Sequence, residues 1–189
     1  MTPENILQIT DRDGFRQWLV EHHAHESECW LAVKRGWTVP EGIMRYLDAV
    51  EEALCFGWID STVKTVDGVT LQRFGPRKKC SKWSELNKER CRRLEVMGLM
   101  TDSGRRVCPD LNAEFEIIPE IMSEFKKNPV AWRNFRSFPK LYQRVRIDTI
   151  QVNKKCLELF ERRLYKLIEA SEKGEMIGEW NDGGRLLDY

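Results

Sequence analysis

Several absences in the sequence narrow the function before any motif is considered. The chain has no G-x-x-x-x-G-K-[ST], G-x-G-x-x-G, G-x-S-x-G or H-E-x-x-H segment, which argues against the common nucleotide, dinucleotide, hydrolase and zinc-protease sites. Its six cysteines include no C-x-x-C pair, so neither a zinc site nor a disulfide framework is indicated. The sequence therefore indicates no cofactor, and it is typical of a protein whose thiols stay reduced in the cytoplasm.

Long apolar runs and a strong net charge are also missing. No segment reaches the roughly 18 apolar residues of a spanning helix, and the opening residues, MTPENILQITDRDG, do not form a secretion signal. A net charge of +1 creates no global field toward nucleic acid or membrane. We therefore expect a cytoplasmic protein without membrane insertion.

The composition that is present is typical of a folded protein. Of the 189 residues, 41% are hydrophobic and 32% charged, and this length suffices for one domain or two small ones. Asp67-Gly68 is the strongest short-range hairpin signal in the chain. The first half is predicted to run helix, strand, helix, strand, strand, with a capped helix after Asp11, a strand at 29–34, a helix at 43–55 and hairpin strands at 58–66 and 69–74.

The second half has helical patterns only. Ser84 is placed to cap a helix that stops at Gly98. Prolines suited to first helical turns introduce segments near 119–127, 129–136 and 139–150, and a longer amphipathic helix is predicted over 153–172. We therefore predict an α+β fold, in which residues 1–108 form a small antiparallel-containing sheet with packed helices and residues 109–189 form an α-helical region.

Basic and aromatic residues are concentrated on the predicted hairpin and the turn after it. Residues 73–93 carry nine Lys and Arg against two Asp and Glu. Guanidinium groups beside an aromatic plane suit a phosphate, a carboxylate or a stacked base, and the helix start at Ser84 adds backbone N–H donors. The pattern predicts a binding site for an anionic small molecule or polyanion, with candidate residues Trp58, Asp60, Arg73, Arg77, Lys79, Trp83 and Asn87.

The same residues also have a purely structural interpretation. Trp83 would belong to the core, Lys78 and Lys79 would be solvated, and Arg73 would pair with Asp60 across the hairpin. Tryptophan rings in an open pocket would indicate recognition, whereas rings inside the sheet–helix core would indicate folding. The sequence leaves both interpretations open.

Three other groups of residues could form a metal site, a reactive thiol or a carboxylate cluster. His22 and His25 would share a helix face, but two imidazoles without further ligands do not make a stable metal site. Cys80 lies among cations that favour a reactive thiolate, whereas Cys55, in an apolar segment, is expected to pack. A solvated helix face is expected, rather than a carboxylate cluster, for the acids Asp48, Glu51, Glu52 and Asp60.

Several segments carry a resemblance to a known family. They are W-L-x-x-H-H at 18–23, CWLAVKR at 29–35, AVEEALCFGWID at 49–60 and R-F-x-P-R-x-x-x-S-x-W-S-x-x-N at 73–87. They resemble the YdeI/OmpD-associated family, also called bacteriocin-protection proteins, over most of residues 14–110. The C-terminal region is similar to the helical tail of that family, although the segment FPKLYQRVRIDTIQVNKK differs from the sequence usual in the family.

The resemblance implies a small bacterial cytoplasmic protein of stress or bacteriocin tolerance, without an established reaction. It also implies a frataxin-like sandwich, and by that analogy alone iron handling at the acids of 48–60. Three hypotheses follow: a protein that binds an anionic ligand at the hairpin, an enzyme acting on an anionic substrate with Asp60 as base, and a protein-interaction module that acts through its helical tail. The sequence supplies no nucleophile–base pair, which weighs against the enzyme.

Overall fold

Two compact units make up the computed structural model, which describes residues 3–36, 38–79 and 81–189. The first unit comprises Met1–Lys82 and Arg90–Pro109, and the second comprises Trp83–Glu89 and Asp110–Tyr189. One helix, Glu85–Val96, contributes its first residues to the second unit and the remainder to the first. The two units are described in turn.

The first unit is a mixed sheet with packed helices. Its elements are β1 (Ile6–Leu7), α1 (Arg12–His22), β2 (Cys29–Lys34), β3 (Met44–Arg45), α2 (Tyr46–Cys55), β4 (Trp58–Val66), β5 (Val69–Pro76), part of α3 (Glu85–Val96) and α4 (Asp102–Val107). The sheet order is β1-β2-β5-β4; β1 and β3 run parallel to β2, and β5 runs antiparallel to both β2 and β4.

Local signals explain where the first unit's main elements begin and turn. The Asp11 carboxylate accepts from the Gly14 backbone N–H at 2.9 Å and so caps α1. Asp67 and Gly68 have φ angles of 49° and 79°, both in the left-handed region that a tight hairpin turn requires. Side chains from α1, α2, α3 and the sheet then fill one core that includes Phe15, Leu19, Leu31, Leu54, Trp58, Phe74 and Leu94.

The second unit contains helices only, apart from its loops. These are α5 (Pro119–Lys126), α6 (Pro129–Ser137), α7 (Lys140–Gln151) and α8 (Leu157–Glu172), together with the first turn of α3. Pro119 and Pro129 stand at first-turn positions, where a missing N–H costs nothing. A separate core forms around Phe125, Phe135 and Tyr142.

The predicted α+β class with a helical C-terminal region is confirmed. The helix predicted over 43–55 begins at Tyr46, because Met44 and Arg45 pair with β2 as a short strand. The helix predicted over 153–172 begins at Leu157, because turns occupy the residues just before it. Strands β1 and β3 and helix α4 were not predicted. Among the described residues, no helix has the length and apolar character needed to cross a membrane.

Candidate functional site

The hairpin that carries the predicted site forms as the sequence suggests. Strands β4 and β5 pair from Trp58 opposite Pro76 to Val66 opposite Val69, with an irregularity between Asp60 and Val63. The structure therefore places four of the candidate residues, from Trp58 to Arg77, along or just after one antiparallel ribbon. The contacts of these four side chains differ.

Trp58 is part of the core. The residue is only 1% exposed, and its indole N–H donates to the His23 carbonyl oxygen at 3.2 Å. The ring meets Trp18 edge-on, with centroids 5.7 Å apart. These contacts match the packing interpretation of this tryptophan.

Asp60 accepts a hydrogen bond from the Tyr46 hydroxyl at 2.6 Å. Burial, and then the charge of Asp60, raise the pKa of Tyr46 to about 12, so this phenol stays protonated and continues to donate. The predicted pairing of Asp60 with Arg73 is wrong. Arg73 instead reaches Glu28, just before β2, because Arg73 lies opposite Trp30 in the β2–β5 register and so close to that end of β2.

Glu28 and its partners form a small charged cluster near the start of β2. Arg73 Nε donates to Glu28 Oε2 at 2.6 Å, and the Trp30 indole N–H donates to Oε1 at 3.0 Å. The Trp30 donation and then Arg73 lower the pKa of the Glu28 carboxyl. The Arg73 side chain keeps 35% of its surface exposed, so it is partly available to a ligand.

Arg77 holds the loop that follows the hairpin. It is only 7% exposed, and its Nη1 donates to Ser81 Oγ at 3.1 Å and to the Lys82 carbonyl at 3.0 Å. Its backbone N–H donates to the Gly57 carbonyl at 2.9 Å. Burial lowers the pKa of this guanidinium, against the electrostatic influence of Cys91. Arg77 thus ties the loop to the end of the sheet.

Lys78, Lys79 and Lys82 are exposed on this loop. Within the described ranges 3–36, 38–79 and 81–189, none of the three forms an ion pair. Cys80, whose cationic neighbours in the sequence would favour a reactive thiolate, lies outside the described residues. The exposed chemistry of the loop is therefore three ammonium groups beside one partly exposed guanidinium.

Trp83 and Asn87 belong to the second unit, whereas the other five candidate residues belong to the first. Both side chains are half-buried. The Asn87 backbone N–H donates to Ser84 Oγ at 3.2 Å, so Ser84 caps α3 as predicted.

The carboxylates on α2 are not a solvated face, and that expectation is wrong. Glu51 and Glu52 are 0% and 1% exposed. Arg12 bonds both, through Nη1 to Glu51 at 2.8 Å and through Nε to Glu52 at 2.5 Å. Arg16 adds a 2.7 Å bond to Glu52, and Arg93 a 3.0 Å bond to Glu51. The spacing of Arg12 and Arg16, one turn apart on α1, was the sequence signal for this network.

The histidines and Cys55 have contacts that serve the fold. His22 is the last residue of α1, and His23 bonds the Leu19 carbonyl through Nδ1 at 2.7 Å and Ser103 Oγ through Nε2 at 3.0 Å. Over the part of the chain that the structure describes, no group of three or more His, Cys, Asp or Glu is arranged to hold a metal ion. Cys55 is fully buried, as predicted for a packing residue, and burial raises the pKa of its thiol to about 12.

A pair of thiols was missed at the sequence level. The buried thiol of Cys91 on α3 interacts with the thiol of Cys108, the partly exposed residue just after α4. The Cys91 thiol, and then the nearby Arg77, lower the pKa of Cys108. Their separation of 17 residues gives no local pattern, which is why spacing did not reveal the pair.

The structure thus defines an α+β unit with a basic loop and a helical unit, and a different family model matches residues in each unit. Residues 7–107, just over half of the chain, match the family model described as a domain of unknown function (DUF8412), and the chain belongs to that family. Residues 114–174 match the model of the family described as Bacteriocin-protection, YdeI or OmpD-Associated. Searches of curated proteins and of solved structures gave no match.

The predicted relationship to the YdeI/OmpD-associated family is confirmed, but the matching residues are not the ones that chiefly suggested it. The match lies on the helical residues 114–174, whereas most of the quoted motifs lie within 14–110, which match the other model. The match on these residues fits a bacteriocin-protection role at the level of that family. The frataxin-like resemblance stays a prediction.

Proposed function

We propose that this protein acts in bacteriocin protection by binding an anionic ligand through the basic loop, which we define as residues 77–82 together with Arg73. The observation that carries the proposal is the presence of three exposed lysines within five positions, Lys78, Lys79 and Lys82, none of which forms an ion pair with a described residue. Unneutralised ammonium groups on one loop attract phosphate or carboxylate.

Hydrogen bonds within the described part of the loop favour recognition. Arg77 donates to the Ser81 hydroxyl and to the Lys82 carbonyl, so the backbone of Lys82 is held without using its side chain. Ser81 Oγ also donates to the Lys78 carbonyl at 2.8 Å. A preorganised loop loses less conformational freedom when a ligand binds. In this proposal Arg77 positions the loop, the lysines contact the anion, and Trp58 contributes to the fold.

The proposal is tested with the variant Lys78→Ala/Lys79→Ala/Lys82→Ala, because replacing the buried Arg77 would disturb the loop itself. The probes are a single-stranded oligonucleotide and inorganic pyrophosphate, titrated at several salt concentrations. Each lost phosphate contact reduces the slope of log K against log salt by about 0.7 for a single strand, so we expect a reduction of about 2. The matched control, with the same change of charge on exposed side chains, is Lys154→Ala/Lys155→Ala/Lys166→Ala.

Binding of pyrophosphate by the wild type, lost in the loop variant, identifies a small-anion site. Binding of the oligonucleotide alone identifies a polyanion surface. Equal affinity of the loop variant and the wild type for both probes contradicts the proposal.

A protein-interaction module is the second candidate, and the location of the family match favours it. The bacteriocin-protection match covers helices α5 to α8 and leaves out the basic loop. Survival of cells challenged with a bacteriocin separates the two candidates. Protection that the loop variant retains in full, despite lost anion binding, assigns the function to the helices.

A further inference from the structure

A basic groove on the second unit has no role in the function proposed above. It lies where the end of α5 approaches the outer side of α6, and its volume is about 520 Å³. This falls within the range of 300 to 1,000 Å³ typical of small-molecule sites. The groove is lined by Lys126, Pro129, Trp132, Arg133, Arg136 and Ser137.

The sequence of α6 places four of these residues on one stripe. Pro129, Trp132, Arg133 and Arg136 follow the spacing i, i+3, i+4, i+7, which is one face of a helix. The opposite side contains the buried Ala131 and Phe135, so packing fixes which stripe faces outward. Asn128 caps the helix by accepting from the Ala131 N–H at 3.0 Å.

The three cations of the groove are not neutralised by the protein. Across the residues that the structure describes, Lys126, Arg133 and Arg136 form no ion pair. The nearby carboxylate of Glu124 is engaged by Lys127 at 2.7 Å. Two exposed cations elsewhere in this unit have acidic partners; Lys154 binds Glu120 and Lys173 binds Glu169. The groove therefore keeps a local positive charge that an external anion can satisfy.

Trp132 supplies a rigid aromatic surface beside those cations. The ring is half-buried, 5.8 Å from Phe125 and 6.3 Å from Phe135 between centroids, and these contacts hold it in place. The Arg136 guanidinium lies 5.8 Å from the ring centroid. Within the described part of the chain, the indole N–H has no hydrogen-bond partner, so it is available as a donor.

We propose that this groove binds a small organic phosphate that carries a flat ring. The phosphate takes the forked donors of Arg133 and Arg136 and the charge of Lys126, and the ring stacks on Trp132. Three positive groups that line one groove with a half-buried aromatic ring suit this combination better than an anion or a ring alone. The site is independent of the basic loop, so either proposal can fail without the other.

The test uses the full chain with adenosine monophosphate as the probe, and with inorganic phosphate and adenosine as its two halves. Binding is followed through the backbone amides of residues 126–137 and the Trp132 indole N–H in NMR spectra, with probe up to about 10 mM. We expect saturable shifts confined to these residues, with affinity for adenosine monophosphate at least about tenfold above that for either half.

Two variants complete the test. Arg133→Gln/Arg136→Gln changes exposed side chains, so the helix is retained, and we expect it to weaken adenosine monophosphate binding by at least about tenfold. Arg162→Gln/Lys166→Gln removes the same charge from exposed positions of α8 outside the groove and should bind as the wild type does. The variant of the three loop lysines should also keep this site.

Three outcomes overturn the proposal: no saturable shift in residues 126–137, inorganic phosphate binding as tightly as adenosine monophosphate, or undiminished binding by Arg133→Gln/Arg136→Gln. Shifts produced by an acidic peptide but not by adenosine monophosphate would reassign the groove to a protein partner, and so also overturn it.

Discussion

At the scale of single residues, the carboxylates of α2 show how a buried charge is retained. Burial opposes the charge on Arg12, but Glu52 and Glu51 outweigh it and raise the pKa of the guanidinium. Each carboxylate has at least two arginine partners among the described residues, so the loss of one acid removes a charged acceptor from two cations. Such a network stabilises the fold only while all its members are present.

Glu52→Gln is therefore expected to destabilise the first unit. Removing one partner of a buried ion pair costs about 3 to 5 kcal/mol, and we expect roughly 3 because the partners of Glu52 are partly solvated. The Arg12 and Arg16 side chains keep 28% and 30% of their surface exposed. The measurement is urea denaturation followed by circular dichroism.

Glu95→Gln is the control for this measurement, because it removes a carboxylate from an exposed pair with Arg105. It should leave the midpoint of denaturation unchanged. Equal shifts in the two variants would show that burial of Glu52 is energetically unimportant.

Single-residue contacts were the part of the candidate site that the sequence predicted least well. Neighbours in sequence suggested that Arg73 would pair with Asp60, but its partner is Glu28, 45 positions away. The exposed lysines of the basic loop were anticipated, because charge density is a local property. The cationic stripe of α6 was not predicted, because its residues are spread over two helical turns and only the helix brings them onto one face.

At the scale of elements, local signals were sufficient for most of the fold. The β2 strand and the first hairpin strand have the predicted limits, because β-prone residues and Asp67-Gly68 mark them directly. Two-residue strands such as β1 and β3 have no such signal and form only because β2 offers them a partner. Helix α4 is likewise short, at six residues, and its Thr101 cap was the one available clue.

Helix α4 packs very closely on the end of α2, and Gly104 makes this approach achievable. A Cβ atom at this position would lie 2.3 Å from the Cys55 carbonyl oxygen, which belongs to backbone and cannot rotate away. Thr101 holds the same carbonyl through its hydroxyl at 2.6 Å. The two helices therefore meet backbone to backbone at this point.

Gly104→Ala is expected to destabilise the first unit by about 3 kcal/mol, the upper end of the range for overpacking. Thermal denaturation measures the effect. Gly14→Ala, in α1, is the matched control, since its nearest new contact is the Cγ2 methyl of the Ile9 side chain at 3.2 Å and not backbone. Alanine is also the better helix former there, so the control should remain within about 1 kcal/mol of the wild type. A Gly104→Ala protein as stable as this control would contradict the close approach.

At the scale of the whole molecule, the first turn of α3 is separated in sequence from the rest of the second unit. Arg144 on α7 bonds Glu89 at 2.8 Å, and the Asp148 carboxylate accepts from the Glu85 backbone N–H at 3.0 Å. Leu86 packs against the core of the same unit. These contacts join residues 83–89 to helix α7, 55 and 63 positions away in the sequence.

The domain limit predicted between residues 108 and 109 stays a prediction, and two fragments test it. A fragment of residues 110–189 lacks Glu85, Leu86 and Glu89, so it leaves Arg144 without its acidic partners and one face of the helical core uncovered. A fragment of residues 83–189 retains them. We expect the longer fragment to unfold at a higher urea concentration, with a difference of at least about 2 kcal/mol from the lost Leu86 packing and the unpaired charge. Equal midpoints would show that residues 109–189 fold independently of α3, as the predicted limit implies.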